Sequence, residues 1–81
     1  MKSKVIVKLK ESVLDPQGQT IQRSLAKLGH SEIKNVRQGK YFELEFDGDL
    51  DAGQIRKVTE EIAKRVLSNP IIETFEVEEV S

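Results

Sequence analysis

Reactive side chains are scarce. The 81 residues include one histidine and no cysteine, which excludes disulfide frameworks, thiolate metal sites, CxxC redox centres and multi-histidine metal sites. Asp47-Gly48-Asp49-Leu50-Asp51 has the acidic spacing of a calcium loop. Such a loop needs glycine at its sixth position and a bidentate glutamate at its twelfth; counting from Asp47, these are Ala52 and Val58. A turn with a capped helix start is the better reading. Gly39-Lys40 lacks the upstream glycine and following Ser or Thr of a phosphate loop, having Lys34 and Tyr41 instead. Arg37 and Lys40 beside Gly39 still offer charge to an anion or an acidic partner. His30 has no orienting acid or nucleophile predictably aimed at it. The strand containing Phe42, Leu44 and Phe46 sends its aromatics inward and Glu43 and Glu45 outward, where they repel phosphate. No nucleophile–base pair, metal cluster or cofactor loop emerges, and the residues read as a non-catalytic interaction module.

The elements that carry these residues follow from periodicity. Val5, Val7 and Leu9 alternate with Lys4, Lys8 and Lys10 as in a half-buried strand. Asp15-Pro16 then caps and opens a helix whose stripe is Ile21, Leu25 and Leu28, with Gly29 as its left-handed end. Ile33–Val36 reads as a short strand and Tyr41–Phe46 as a clear one, with Gly39 between them as a hairpin or a bulge. Asp49 or Asp51 caps a second helix with Ile55, Val58, Ile62 and Val66 as its stripe, and Asn69-Pro70 stops it. A last strand runs from Ile71 to about Val80, with Ile71, Phe75 and Val77 on the core face.

The order β-α-β-β-α-β predicts one α+β domain over residues 1–81, a ferredoxin-like two-layer sandwich with both helices on one face of an antiparallel sheet. With the first strand central, Lys4, Lys8 and Lys10 would lie between Glu43 and Glu45 on one side and Glu76 and Glu78 on the other. Ile6 and Tyr41 are the apolar members of that open face and suit a second subunit. Thirteen basic residues against fourteen acidic ones leave no net field for a phosphate backbone, so no nucleic-acid partner is expected. Apolar runs are too short to span a membrane, and no apolar leader region follows Met1, so a cytoplasmic setting is expected. At this length apolar burial and chain entropy nearly cancel, so a lone copy should be marginal.

Three segments carry a resemblance. Val5-Ile6-Val7-Lys8-Leu9-Lys10 followed by Val13-Leu14-Asp15-Pro16-Gln17-Gly18 is similar to the opening signature of the PurS family. Val36-Arg37-Gln38-Gly39-Lys40 is similar to the family's central motif, and Leu67-Ser68-Asn69-Pro70-Ile71-Ile72-Glu73-Thr74-Phe75-Glu76 to its closing one. The resemblance implies a small subunit of phosphoribosylformylglycinamidine synthase in purine biosynthesis, an ATP-dependent amidotransferase. It implies no catalytic residues and no cofactor in this chain, with ATP and Mg²⁺ bound by the synthetase subunit (PurL) and ammonia released by a glutaminase subunit (PurQ). The small subunit would dimerise, bridge the other two and help keep ammonia from solvent. Asp15, Pro16, Gly18, Arg37, Gly39, Lys40, Asn69 and Pro70 are the candidate partner contacts, and Ile6 and Tyr41 the candidate dimer face. Gly18 stands out because glycine in a first helical turn is costly unless another backbone approaches closely. The alternative is an ACT-type amino-acid sensor, which shares the element order and also dimerises.

Overall fold

A computed structural model describes residues 1–81, the side chain of Glu79 excepted. The elements are β1 (Lys2–Leu9), α1 (Pro16–Lys27), β2 (Gly39–Glu45), α2 (Ala52–Ile62), a π-helical turn (Ala63–Leu67) and β3 (Glu73–Val80). The strands form one antiparallel sheet in the order β2-β1-β3, so the first strand is central as expected. Val5 and Val7 on β1 are fully buried with Ala63, with Phe42, Leu44, Leu67 and Phe75 packed around them, and Ser3 on the same strand is also fully buried. Beneath α2 the hydroxyls of Ser3 and Thr59 hydrogen-bond at 2.8 Å, and Thr59 donates to the Ile55 carbonyl at 2.7 Å.

Local capping follows the expected chemistry. Asp15 caps α1 with Pro16 in its first turn. Gly29 closes it at φ 100°, where the His30 N–H reaches the Leu25 carbonyl and the Gly29 N–H reaches that of Ala26. Asp51, rather than Asp49, caps α2 in a reciprocal capping box with Gln54.

Four expectations are corrected. Ile33–Val36 forms no strand, so a single chain shows β-α-β-α-β with three strands rather than a four-stranded ferredoxin-like sheet. Its polar backbone is claimed elsewhere: the Gln22 amide donates to the carbonyls of Ile33 and Lys34 at 3.3 and 2.6 Å. Second, α1 does not share a sheet face with α2. Helix α2 packs on β3 and β1, whereas α1 makes no comparably extensive contact with the strands, and the molecule is 52 Å long. Third, β3 begins at Glu73, and Ile71 is 79% exposed in the preceding turn instead of in the core. Fourth, the π-helical turn shifts the helical phase, so Leu67 packs on the core and Val66 is 75% exposed.

Gly39 is neither a hairpin nor a bulge; it is the first residue of β2, opposite Lys8. The charge ladder is partly realised. Lys2 and Glu45 pair at 3.5 Å and Lys4 stands opposite Glu43, but Lys8 faces Gly39 and Thr74, and Lys10 lies past the strand end. Glu76 lies opposite Ile6, and a bulge in β3 between the partners of Val5 and Lys4 leaves Glu78 without a partner position on β1.

Candidate functional site

The segments 15–18, 36–40 and 69–73 converge at the end of β1, around a cleft of about 360 Å³ whose walls include Val7, Leu9, Asp15, Gln38, Lys40 and Glu73. Asp15 organises one side. It is 4% exposed, and its carboxylate accepts from the Gly18 N–H at 2.9 Å and from the Gln38 N–H at 2.7 Å. One side chain thus caps α1 and anchors the residue that leads into β2. The bond from Gln38, then that from Gly18, outweighs the upward push of burial and holds the carboxyl below the usual carboxylate range, with help from the charge of Arg37. A depressed carboxyl is a weak general base near neutrality, so the geometry suits a structural anchor.

Gly18 is buried because the Val36 carbonyl sits against it: a β-carbon here would come within 2.9 Å of the carbonyl carbon and closer still to its oxygen. The costly first-turn glycine therefore marks a close backbone approach. Arg37 reaches back to the end of β1, its guanidinium donating to the Lys10 carbonyl at 2.9 Å. The Lys10 N–H in turn donates to the Ile72 carbonyl at 2.9 Å, which ties all three segments together.

On the other side, Lys40 and Glu73 stand on β2 and β3 with Val7 and Leu9 of β1 between them, and their side chains pair at 3.6 Å. Glu73 is the more enclosed partner, its side chain 11% exposed, and it also accepts from the Asn69 N–H at 2.7 Å. Asn69 and Pro70 form a turn in which the Ile72 N–H donates to the Asn69 carbonyl at 3.1 Å and the Asn69 side chain accepts from the Ile71 N–H at 3.1 Å.

The eight candidate contact residues therefore gather at one end of the molecule. Gly39 starts β2 there, packed closely on the Val7 carbonyl. Arg37 and Lys40, expected to offer charge outward, are engaged within the chain. Ile6 and Tyr41 lie elsewhere, directly opposite one another on the sheet face away from α2. Tyr41 is 54% exposed and donates to Glu43 at 3.0 Å. Sequence reasoning passed over Gln22, Gln38 and Glu73. The last two lie within the quoted motifs, whereas nothing in the local pattern signals Gln22.

His30 contacts Glu32 at 3.2 Å, both exposed. Among the described residues no group of three acidic or imidazole side chains converges as a metal site, and no helix is long and apolar enough to cross a membrane.

The family described as PurS: phosphoribosylformylglycinamidine (FGAM) synthase matches residues 2–81. The chain is 45% identical to the phosphoribosylformylglycinamidine synthase subunit PurS of Bacillus subtilis, across 98% of this chain and 94% of that protein. The crystal structure of Methanocaldococcus jannaschii PurS superposes with a TM-score of 0.82 at 36% identity, covering 99% of this chain and 98% of that one. A chain in the structure of PurLQS from Thermotoga maritima superposes with a TM-score of 0.79 at 28% identity, covering 99% of both chains. This likeness, running through all three converging segments, decides against the amino-acid sensor: the chain belongs to the PurS family of phosphoribosylformylglycinamidine synthase subunits.

Proposed function

We propose that this chain works as the small, non-catalytic subunit of a glutamine-dependent phosphoribosylformylglycinamidine synthase in the cytoplasm, holding a PurQ-type glutaminase against a PurL-type synthetase. The observation that carries this reading is the full-length correspondence with a chain of the T. maritima PurLQS structure. ATP and Mg²⁺ belong to the synthetase, and this chain pairs with itself within the assembly. The chemistry explains the division of labour. Ammonia released into neutral water is mostly protonated and no longer nucleophilic, so a closed path between the two active sites matters more than an additional catalytic group. A rigid, elongated subunit with its polar groups locked into backbone anchors suits a seal. The segments 15–18, 36–40 and 69–73 provide a contact surface for the larger subunits, presented as shaped backbone rather than as free charge.

Reconstitution tests this. PurL and PurQ with the chain should make product from glutamine and co-elute with it, whereas without it glutamine-dependent synthesis should fall while synthesis from added ammonia persists. An undiminished glutamine-dependent rate without the chain would overturn the reading.

A further inference from the structure

The two carboxylates of the junction are engaged to different degrees. Asp15 accepts a backbone N–H on each of its oxygens. Glu73 has one such bond, from the Asn69 N–H to Oε1 at 2.7 Å. Among the described residues the cation paired with its Oε2 is Lys40, whose Nζ stops at 3.6 Å, beyond hydrogen-bond range. The register explains the gap. Lys40 on β2 lies opposite Val7 and Glu73 on β3 opposite Leu9, so the pair reaches across β1 and along two residues of it. Two strand spacings and that rise separate the α-carbons by about 12 Å, which leaves a lysine stem little slack to close further. The Lys40 side chain is also 61% exposed against 11% for Glu73, so the cation stands in water while the anion forms the cleft wall. An ion pair with one end in water holds its partner weakly.

Covering the cleft changes the requirement. A contact surface excludes water, and a carboxylate oxygen that loses water without gaining a donor is destabilised. The covering protein must therefore bring a donor to Oε2. The cleft, about 360 Å³ with Val7 and Leu9 in its walls, has room for a long side chain whose stem lies on those apolar walls. Gln17 and Gln38 line it as well, and their amide groups are further acceptors. A guanidinium suits this set. Its planar fork engages a carboxylate through two N–H groups, its remaining donors reach neighbouring acceptors, and it is less strongly hydrated than an ammonium. We propose that a larger subunit of the synthase inserts an arginine side chain into this cleft, its guanidinium taking Oε2 of Glu73 and releasing Lys40 to solvent. The inference rests on the bridging role proposed above and gives that contact surface one defined charge contact.

Titration of a PurL and PurQ mixture with the parent, Glu73→Gln and Lys40→Met chains tests it, with the half-saturation point of co-sedimentation as the readout. Glu73→Gln keeps an acceptor for the Asn69 N–H but removes the charge, and should weaken assembly about tenfold or more. Lys40→Met removes the competing cation from an exposed position and should strengthen assembly about two- to fivefold. This opposite sign is the discriminating result, and it can be read even if Glu73→Gln does not fold. At saturation, phenylglyoxal labelling should find one larger-subunit arginine that the parent chain shields and Glu73→Gln leaves reactive. Parental affinity in Glu73→Gln, no gain in Lys40→Met, or shielding confined to arginines of this chain overturns the arginine contact while leaving the bridging role intact. Failure of the unmodified chain to join PurL and PurQ overturns both.

Discussion

The carbonyl oxygen of Val36 lies in the space a β-carbon on residue 18 would need, and this approach locks α1 to the segment entering β2. Gly18→Ala sets two effects against each other. Helix propensity favours alanine by about 1 kcal/mol, whereas forcing a methyl group into an occupied site costs roughly 1–3 kcal/mol. The obstacle is backbone held in place by Asp15 and Gln22, so it cannot swing aside, and the steric effect should win. We expect a net loss of up to roughly 2 kcal/mol, read as a lower melting temperature at matched protein concentration. A variant as stable as the parent would mean that Val36 yields freely.

Asp15 has two backbone donors, so its replacements should rank. Asp15→Asn keeps an acceptor for one donor and should be the milder change; Asp15→Ala leaves the N–H groups of Gly18 and Gln38 without that partner and should be the more severe. The pH dependence has a definite sign. The folded-state pKa lies below the unfolded value of about 3.9, so the charged carboxylate stabilises the fold above that pH and the contribution disappears as pH falls through the folded pKa. The stability difference between the parent and Asp15→Asn should thus stay level from pH 7 to about 5 and shrink below about 4. Urea titrations over this range would expose a difference that instead grew in acid.

The Ser3–Thr59 pair predicts non-additivity. Thr59→Val deprives a buried Ser3 hydroxyl of its partner and should cost about 1–3 kcal/mol. Ser3→Ala/Thr59→Val removes both groups together and should cost less than the sum of the single changes, by about 0.5 kcal/mol or more. Strict additivity in denaturant unfolding would show that the two hydroxyls are not coupled.

Legibility in the sequence followed the range of the interactions. Asp15, Pro16, Gly29 and Asp51 act within one turn of chain, so capping rules placed the start and end of α1 and narrowed the start of α2 to Asp49 or Asp51. The alternation of Val5 and Val7 with lysines marked the buried face of β1 for the same reason. The Ile33–Val36 segment has strand-like composition, but Gln22, eleven residues upstream, takes its carbonyl groups, and no local pattern reports that competition. The location of α1 was equally hidden, because an amphipathic stripe specifies an apolar face without specifying which element packs on it. The candidate contact residues were found through the family resemblance, and only their geometry revealed that Arg37 and Lys40 are occupied within the chain.

The end of α2 offers the sharpest separation between pattern and structure. Continuing the stripe of Ile55, Val58 and Ile62 at helical spacing puts Val66 in the core. The π-helical turn from Ala63 to Leu67, closed by the Ser68 N–H and hydroxyl on the Ala63 carbonyl, rotates Leu67 inward against Val5 and Val7. Leu67→Ala should therefore cost about 2 kcal/mol, because it removes side-chain volume packed against the buried cluster of Val5, Val7 and Ala63. Val66→Ala, at an exposed position, should stay within about 0.5 kcal/mol. Equilibrium unfolding of the two variants decides between the phases: a larger loss at Val66 than at Leu67 would mean that α2 continues as an unbroken α-helix and that the π-helical turn does not set the packing.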